Sequence, residues 1–173
     1  MKAWNHFKTI TKHKWYVGKL CFRVGLYKQG LLHDLSKYSL CEFMTGVHYY
    51  QGTRSPNAAE RIEKGYSLAW LHHKGRNKHH WEFWVDFTRT GPKAAPMPLC
   101  YVLEMFCDRV AASMVYRGKD YDDHYPLYYY LQHCHCYIMH PRTKEKLELL
   151  LDYLDQHGLD DTIRYIRTQK WKE

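Results

Sequence analysis

The spacing of apolar residues along the chain predicts helices through almost its whole length. Apolar positions recur every three to four residues over 3–24, as they do on one face of a helix. That face comprises Phe7, Ile10, Trp15, Leu20, Phe22 and Val24. The alternation of apolar and polar residues that is typical of strands is scarce. We therefore predict an all-α fold.

Turn and capping residues divide this pattern into separate helices. Gly25 gives a stop to the first helix, and Ser39 with Glu42 three residues later forms a capping box for the third. Pro56 suits the first position of the fourth. The predicted helices cover about 3–24, 27–35, 40–50, 56–73, 78–88, 99–116, 125–138 and 141–158, with a last one from 160 onward. A proline-rich loop is predicted over 90–98.

The length of the chain suits one domain with a sizeable core. We assign residues 1–173 to that domain, with a core over about 3–118 and C-terminal helices over about 125–170. The six cysteines lie mostly in apolar helical patterns and suggest no disulfide framework, which favours a cytoplasmic location. No apolar run approaches the roughly 20 residues that span a bilayer, and no signal peptide is evident. We therefore expect no membrane partner, while the oligomeric state is left open.

The charge of the chain indicates an anionic partner. The net charge is +8 at pH 7, and aromatic residues make up 16% of the sequence. A positive surface attracts phosphate groups, although net charge carries no information about the fold. A phosphate-bearing small molecule is the expected partner, and nucleic acid is an alternative.

The adjacent residues His33 and Asp34 are the first candidates for chemistry. An imidazole nitrogen and a carboxylate oxygen together suit zinc, manganese, iron or magnesium. His13 lies 12 residues before Gly25, and His33 lies 8 residues after it. In an antiparallel hairpin about Gly25, both histidines would lie about 12–18 Å from the turn. The two imidazoles are therefore expected to meet.

Two histidine pairs, His72-His73 and His79-His80, lie within nine residues and are separated by a glycine turn. Four core imidazoles would each need partners for both ring nitrogens, which argues against a purely structural role. The pairs therefore suggest a site for two metal ions. A basic, aromatic surface patch that binds nucleic acid is the alternative. The sequence does not decide which member of each pair is a ligand.

Two carboxylates extend this set. Asp108 falls in an otherwise apolar helix, where a carboxylate is costly unless it is paired or bound to a cation. An ion pair with Arg109, or a surface position, would also explain it. Glu82 follows the second histidine pair closely, and it is a candidate ligand, general base, or acceptor that orients an imidazole.

The order of these residues resembles that of the HD-domain superfamily, which are all-α metal-dependent phosphohydrolases. Residues 30–37, GLLHDLSK, are similar to the LLHDIGK motif of the HD-GYP branch, and His72-His73 match its paired histidines. Asp108 matches its terminal aspartate. The resemblance covers about 13–117. It implies an HD-like helical bundle with two or three metal ions, and it places Lys37 near the substrate phosphate.

Two features of the HD-GYP pattern are absent, because Lys74 replaces the usual glutamate after the histidine pair and the GYP element is missing. Cyclic-dinucleotide hydrolysis is therefore not expected. A closer resemblance covers nearly the whole chain, to a family of small bacterial and phage proteins that carry a domain of unknown function. It rests on HDLSKY (33–38), YYQGTRSP (49–56), AWLHHKGRNKHHWE (69–82) and CDRVAA (107–112).

We therefore expect a metal-dependent phosphohydrolase that acts on a nucleotide or another phosphate ester. Its expected cofactors are two divalent ions of manganese, iron, zinc or magnesium. The favoured ligands are His13, His33, Asp34, His73, His80 and Asp108, with His72 and His79 as the alternative members of their pairs. Lys37 and Glu82 are the expected catalytic residues, and Lys37, Arg76 and Lys78 are the expected phosphate contacts.

Two other functions remain open. A di-iron oxygenase of the HD superfamily would present the same order of ligands, and it would consume oxygen. A basic, non-catalytic helical module would instead bind nucleic acid through its cations and aromatic rings. Its binding would depend steeply on salt and would survive chelation of metals.

Overall fold

The computed structural model describes residues 1–171 and shows an all-α bundle, as the apolar spacing predicts. Its helices are α1 (Lys2–Arg23), α2 (Tyr27–Leu32), α3 (Leu40–Tyr49), α4 (Pro56–Lys64), α5 (Leu68–Lys74), α6 (Leu99–Arg117), α7 (Tyr125–His133) and α8 (Pro141–Thr168). Short 3₁₀ turns cover Leu35–Tyr38, Trp81–Trp84, Gly118–Asp120 and Cys134–Cys136. Among residues 1–171, no helix combines the length and apolar character needed to cross a membrane.

The core forms where α6 packs between α1 and α8. Helix α6 is apolar on most of its circumference, which is the pattern of a helix that is covered on several sides. Helix α8 contributes four leucines at helical spacing, all with no exposed surface: Leu147, Leu150, Leu151 and Leu154. Helix α1 contributes Val17, Leu20 and Cys21. This core fixes α1 and α6 as the two rigid supports of the candidate site.

Helices α1 and α2 form the predicted hairpin. Gly25 adopts a φ of 86°, a left-handed conformation that glycine reaches without steric cost. At Gly30 an added Cβ would lie 2.9 Å from the Phe22 ring, so this glycine allows the close approach of α2 to α1. The hairpin brings the end of α2 alongside the middle of α1.

The single helix predicted over 56–73 is wrong, because the structure has two helices there. Helix α4 ends at Gly65, which adopts a φ of 81°. Ser67 then caps α5, since its hydroxyl accepts a hydrogen bond from the amide of Trp70 at 3.0 Å. Glu60 accepts a hydrogen bond from the same hydroxyl at 2.6 Å and ties the two helices together.

The helix predicted over 78–88 is also wrong. A 3₁₀ turn at Trp81–Trp84 leads into an antiparallel hairpin of β1 (Val85–Thr88) and β2 (Gly91–Ala94). The short alternation Val-Asp-Phe-Thr and the Gly-Pro that follows favour strand and turn over helix. The proline-rich loop predicted over 90–98 therefore contains β2. This two-stranded sheet is small and leaves the all-α class unchanged.

Helix α8 bends where the sequence predicts a stop. Gly158 has φ 76° and ψ 171°, so two helical segments meet at this residue. The amide of Leu159 donates a hydrogen bond to Asp123 at 2.9 Å, which supports the bend from outside the helix.

Candidate metal centre

Asp34 lies at the centre of the candidate site and has an unusual backbone. Helix α2 ends at Leu32, and Asp34 adopts a φ of 53° before the 3₁₀ turn begins. It is the one non-glycine residue with positive φ in the part of the chain that the structure describes. Such a conformation costs energy in L-residues and is found most often at functional sites. Its side chain is only 1% exposed, so both carboxylate oxygens are removed from solvent.

One group of four potential ligands comprises His13, His33, Asp34 and Asp108. Their ligand atoms all lie within 4.8 Å of one another. Nε2 of His33 lies 3.2 Å from Oδ2 of Asp34, and Nε2 of His13 lies 2.9 Å from Oδ1 of Asp108. Three helical elements meet here: α1, the end of α2, and α6.

A second group comprises Asp34, His73, His79 and His80. Nε2 of His73 lies 3.2 Å from Oδ1 of Asp34, and Nε2 of His79 lies 3.4 Å from the same oxygen. The two oxygens of Asp34 therefore face different groups, Oδ2 toward the first and Oδ1 toward the second. A carboxylate in this position is able to bridge two cations.

The atoms that converge on this centre lack hydrogen-bond partners. They are Nε2 of His13, His33, His79 and His80 and both carboxylate oxygens of Asp34, all buried. Several of these atoms lie close to one another, and Oδ2 of Asp34 also forms an ion pair with Lys37. Buried polar atoms without partners are rare in native proteins, and each needs an explanation. Imidazole nitrogens and carboxylate oxygens facing one another across a few ångströms are the donors that zinc, iron or manganese take. The residues present therefore fit a metal pair.

Two buried glutamates fix the orientation of the imidazoles from outside. Oε1 of Glu104 accepts a hydrogen bond from Nδ1 of His33 at 2.9 Å and lies 3.2 Å from Nδ1 of His79. Oε2 of Glu42 pairs with Nδ1 of His73 at 2.8 Å. Carboxylates that bind the second ring nitrogen hold the first one toward a metal and raise its basicity. Glu104 differs from Glu42 because it serves one histidine of each group.

The charges of the site suit metal binding. Burial alone would raise the pKa of Asp34 and of Asp108, but nearby histidines outweigh it and hold both pKa values well below their ordinary range. Burial, with the neighbouring imidazoles, lowers the pKa of His79 and lowers that of His80 strongly. Ionised carboxylates and neutral His79 and His80 are the forms that bind a metal. Burial alone would lower the pKa of His33 and His73, but Asp34 and the other nearby carboxylates outweigh it and raise both, so these two rings would release a proton on binding.

Lys37 links the centre to a cavity. Nζ of Lys37 lies 2.5 Å from Oδ2 of Asp34, and Lys37 follows Asp34 by three residues, or one turn. Burial alone would lower the pKa of Lys37, but the carboxylates of Asp34 and Asp108 raise it above its ordinary value. Beyond it lies a cavity of about 200 Å³. Its walls include His6, His13, Lys37, Tyr50, Arg54, Trp70, His73, His80, Asp108 and Tyr116.

Four of the predicted site residues lie outside this centre. His72 pairs with Glu42 through Nδ1 at 2.6 Å and belongs to neither ligand group. Arg76 is exposed and donates to the carbonyl of His72. The ammonium of Lys78 lies over the rings of Phe83 and Tyr101. Glu82 lies in the 3₁₀ turn Trp81–Trp84, where burial raises its pKa. Neither residue lines the cavity. Both His79 and His80 lie in the cluster, although only one of them was expected there.

Three residues of the site carry little signal in the sequence. The sequence predicts only a capping role for Glu42, and its backbone amide does donate to the hydroxyl of Ser39. Its carboxylate, however, binds the imidazoles of His72 and His73. Glu104 lies one helical turn before Asp108, and this spacing is the one feature of the sequence that indicates a role for it in the site. His6 shares a helix face with His13 and lines the cavity, where its Nδ1 is buried without a partner.

Comparison with known protein families identifies the family of this chain. A family described as Family of unknown function (DUF5662) matches residues 2–153, which is nearly the whole chain. The chain belongs to the DUF5662 family. The expected resemblance to an uncharacterised family is thereby confirmed. No curated protein matches the chain. No solved structure matches it.

The matched range contains the whole candidate centre. All seven ligand candidates of the two groups, from His13 to Asp108, lie within 2–153, as do Glu42 and Glu104. The kink at Gly158 and the last part of α8 lie beyond it. The centre is therefore part of the DUF5662 domain and not of an appended segment.

Proposed function

We propose that this DUF5662 protein is a metal-dependent phosphohydrolase that acts on a nucleotide or another phosphate ester. One observation carries the proposal. Two groups of four potential ligands, three buried and one partly buried in each, share Asp34, and each of its oxygens faces a different group. In two-metal hydrolases the ions lie about 3.5–4 Å apart, a spacing that a bridging carboxylate supports.

His13, His33 and Asp108 would hold one ion, and His73, His79 and His80 the other, with Asp34 common to both. When bound, such ions lower the pKa of a bound water and stabilise the charge on phosphoryl oxygens. Glu104 and Glu42 keep the imidazoles in the tautomer that directs Nε2 inward. The neutral state of His79 and His80 means that no proton has to leave these two rings before binding.

Lys37 is the residue best placed to meet a phosphate. Its ammonium sits at the boundary between the centre and the cavity, with 28% of its side chain exposed. A cation at this position attracts the anionic ester and neutralises one of its oxygens. Arg54 lines the same cavity and adds a second positive group. Arg76 and Lys78, which were expected to contact phosphate, do not line the cavity.

The cavity limits the substrate. A volume of about 200 Å³ is below the roughly 300–1,000 Å³ typical of pockets for drug-sized ligands. Trp70, Tyr50 and Tyr116 supply aromatic surface, and buried His6 supplies a polar atom without a partner. These walls suit the organic part of a small phosphate ester better than a polymer.

The resemblance to the HD superfamily supports the same activity. The structure brings together the residues that the resemblance pairs, His13, His33-Asp34, His73 and Asp108. The burial of His73 and His79 also weakens the nucleic-acid hypothesis, because these histidines do not form a surface patch. HD-like phosphohydrolysis therefore remains our proposal for this chain.

Metal content and hydrolysis test the proposal together. We would purify the protein without a histidine tag, measure bound metals by mass spectrometry, and assay phosphomonoesters and nucleotides after loading with manganese, iron, zinc or magnesium. About two ions per chain and metal-dependent release of phosphate are expected. Asp34→Asn should lose both, because it removes the charge shared by the two groups.

The control variant is His157→Ala. His157 is exposed, stacks on Tyr153, and belongs to neither ligand group. It should keep the metal content and the activity. Wild-type protein that binds no stoichiometric metal, or binds it equally well as Asp34→Asn, would refute the proposal.

A di-iron oxygenase is the second candidate, and the histidine-rich donor set favours it. Six potential ligands besides Asp34 include five imidazoles, and nitrogen donors suit iron as well as zinc. Iron-loaded protein that consumes oxygen in the presence of a substrate, without releasing phosphate from any ester, would select this function instead.

A further inference from the structure

The outer face of α1 carries large aromatic side chains in solvent. Trp4 is 63% exposed, Trp15 57% and Phe22 41%. At 100° per residue these three side chains share one side of the helix. The opposite side is buried against the core and the candidate centre, and it consists of His6, Ile10, His13, Val17, Leu20 and Cys21. Trp4 and Trp15 therefore lie outside the core, whereas the Phe22 ring also lies against Gly30 of α2.

Neighbouring segments extend this row into a wider apolar surface. The Phe22 ring contacts Tyr27 at 5.5 Å between centroids, and the Phe7 ring contacts Tyr38 at 6.0 Å. Nζ of Lys14 binds the carbonyl oxygen of Leu31 at 2.7 Å, which places the end of α2 beside α1. The α1 face is the name we use for the exposed residues Trp4, Phe7, Trp15, Phe22, Tyr27, Leu31, Leu35 and Tyr38.

Positive charge lies beside the α1 face, although Arg23 pairs with Asp160 and Lys14 donates to the backbone carbonyls of Leu31 and His33. Helix α1 contains no acidic residue, and its basic residues are Lys2, Lys8, Lys12, Lys14, Lys19 and Arg23. Lys19 lies 4.2 Å from the ring centroid of Trp15, and Lys8 lies 5.7 Å from that of Trp4. Cations are thus interleaved with aromatic rings along the whole helix.

We propose that the α1 face binds the surface of an anionic lipid membrane. Helices that lie in the membrane interface combine Trp, Phe or Leu with a high density of Lys and Arg. Tryptophan and tyrosine favour the headgroup region, where one part of the ring is apolar and the other is wet. Lysines beside them face the anionic headgroups. This mode needs no spanning helix, and it revises the expectation that the protein has no membrane partner.

Two other occupants fit the α1 face less well. A second copy would bring two basic helices together, and their like charges would repel. A nucleic acid would use the cations and the aromatic rings, but it gains little from exposed Leu31 and Leu35, which are 63% and 50% exposed and cannot stack on bases. Lipid chains accommodate aliphatic and aromatic side chains alike.

Binding by this face leaves the candidate centre accessible. The cavity is lined by His6, Thr9, Ile10 and His13 of α1, none of which belongs to the α1 face. A membrane-bound molecule would therefore keep the cavity off the lipid surface. The proposal does not depend on the proposed phosphohydrolase activity, and either can fail alone.

Vesicle co-sedimentation of the full chain tests this proposal. We expect binding to phosphatidylcholine vesicles that contain phosphatidylglycerol, and little binding to phosphatidylcholine alone. Raising the salt concentration should weaken the binding, because the headgroup attraction is screened. Tryptophan emission should shift to shorter wavelength on the anionic vesicles as Trp4 and Trp15 leave water.

Matched variants locate the surface. Trp4→Ser with Trp15→Ser should reduce vesicle affinity at least about tenfold, since each exposed ring loses its burial in the interface. Lys8→Glu with Lys19→Glu should reduce it by about fivefold or more for each lysine. Phe87→Ser in the exposed hairpin, where Phe87 is 81% exposed, and Lys119→Glu are the controls and should bind like wild type. Circular dichroism and thermal unfolding verify that each variant is folded.

Three results would overturn the proposal. The first is no binding to anionic vesicles, or binding that the α1 variants leave unchanged. The second is binding of a single-stranded oligonucleotide that the same variants abolish while vesicle binding is absent. The third is a dimer in sedimentation velocity that Trp4→Ser with Trp15→Ser converts to a monomer, which would assign the face to a second copy.

Discussion

Replacing Glu104 by alanine is expected to weaken both proposed metal positions at once. Oε1 of Glu104 lies 2.9 Å from Nδ1 of His33 and 3.2 Å from Nδ1 of His79. His33 belongs to the group of four ligands on the Oδ2 side of Asp34, and His79 to the group on the Oδ1 side. One carboxylate oxygen therefore orients an imidazole at each position.

The magnitude follows from these contacts. Removing the acceptor from a buried donor costs about 1–3 kcal/mol, and each 1.4 kcal/mol changes a binding constant tenfold. This agrees with the 10- to 100-fold loss of metal affinity typical when an orienting carboxylate is removed. We expect a loss of this size at both positions in Glu104→Ala, and a smaller one in Glu104→Gln, which keeps an acceptor oxygen.

Glu42→Ala provides the matched comparison. Glu42 binds Nδ1 of His73 at 2.8 Å and Nδ1 of His72 at 2.6 Å, and only His73 belongs to a ligand group. This variant should therefore weaken one position and affect the other mainly through the shared Asp34. Titration of the metal-free proteins against a chelating indicator resolves two stepwise affinities. Two unchanged affinities in Glu104→Ala, or the same two-position loss in both variants, would refute the reasoning.

Three further predictions concern the framework of the site. Gly46→Ala should lower the free energy of unfolding by about 1–3 kcal/mol in chemical denaturation, because its Cβ would lie 2.2 Å from Nε2 of His6. Glu60→Gln should cost about 1 kcal/mol near neutral pH. Burial alone would raise the pKa of Glu60, but hydrogen bonds from Ser67, Lys64 and the backbone of Leu68 together outweigh it and lower the pKa. This stability is therefore present above the unfolded pKa and is lost as pH falls through the folded pKa. The difference between wild type and variant in acid titrations should therefore shrink below about pH 4. Asp34→Gly should be about 1 kcal/mol more stable than Asp34→Ala, since its φ of 53° favours glycine, while neither binds metal; equal stabilities would show that this backbone is unstrained.

The sequence by itself determined the fold class and most of the candidate ligands. The recurrence of apolar residues at helical spacing predicts that α1, α3 and α6 are helices. The apolar face predicted for α1 is wrong in part, because Phe7, Trp15 and Phe22 are exposed and the buried side of that helix carries two histidines. A carboxylate inside an apolar helix marks Asp108, and four clustered histidines mark the end of α5 and the segment after it, since neither pattern is explained by packing alone. The hairpin about Gly25 places His13 beside His33 by simple counting along two helices.

Local patterns failed where the chain is irregular. Residues 78–94 hold a 3₁₀ turn and a short hairpin, and segments of four residues are too short for a period to identify. The choice within His79-His80 depends on the backbone of this irregular segment, which brings both side chains into the cluster. Because His79 and His80 lie outside any helix, helical spacing cannot predict which way their side chains point.

Only the tertiary structure decided how the ligands divide. The left-handed backbone of Asp34 directs its two oxygens toward two separate groups, and no local sequence rule predicts that conformation for an aspartate. Glu42 and Glu104 reach histidines 31 and 71 residues away in the chain, so their roles arise from the packing of α3, α5 and α6 around the end of α2. Residue types set the available chemistry, whereas contacts between distant segments set which atoms meet.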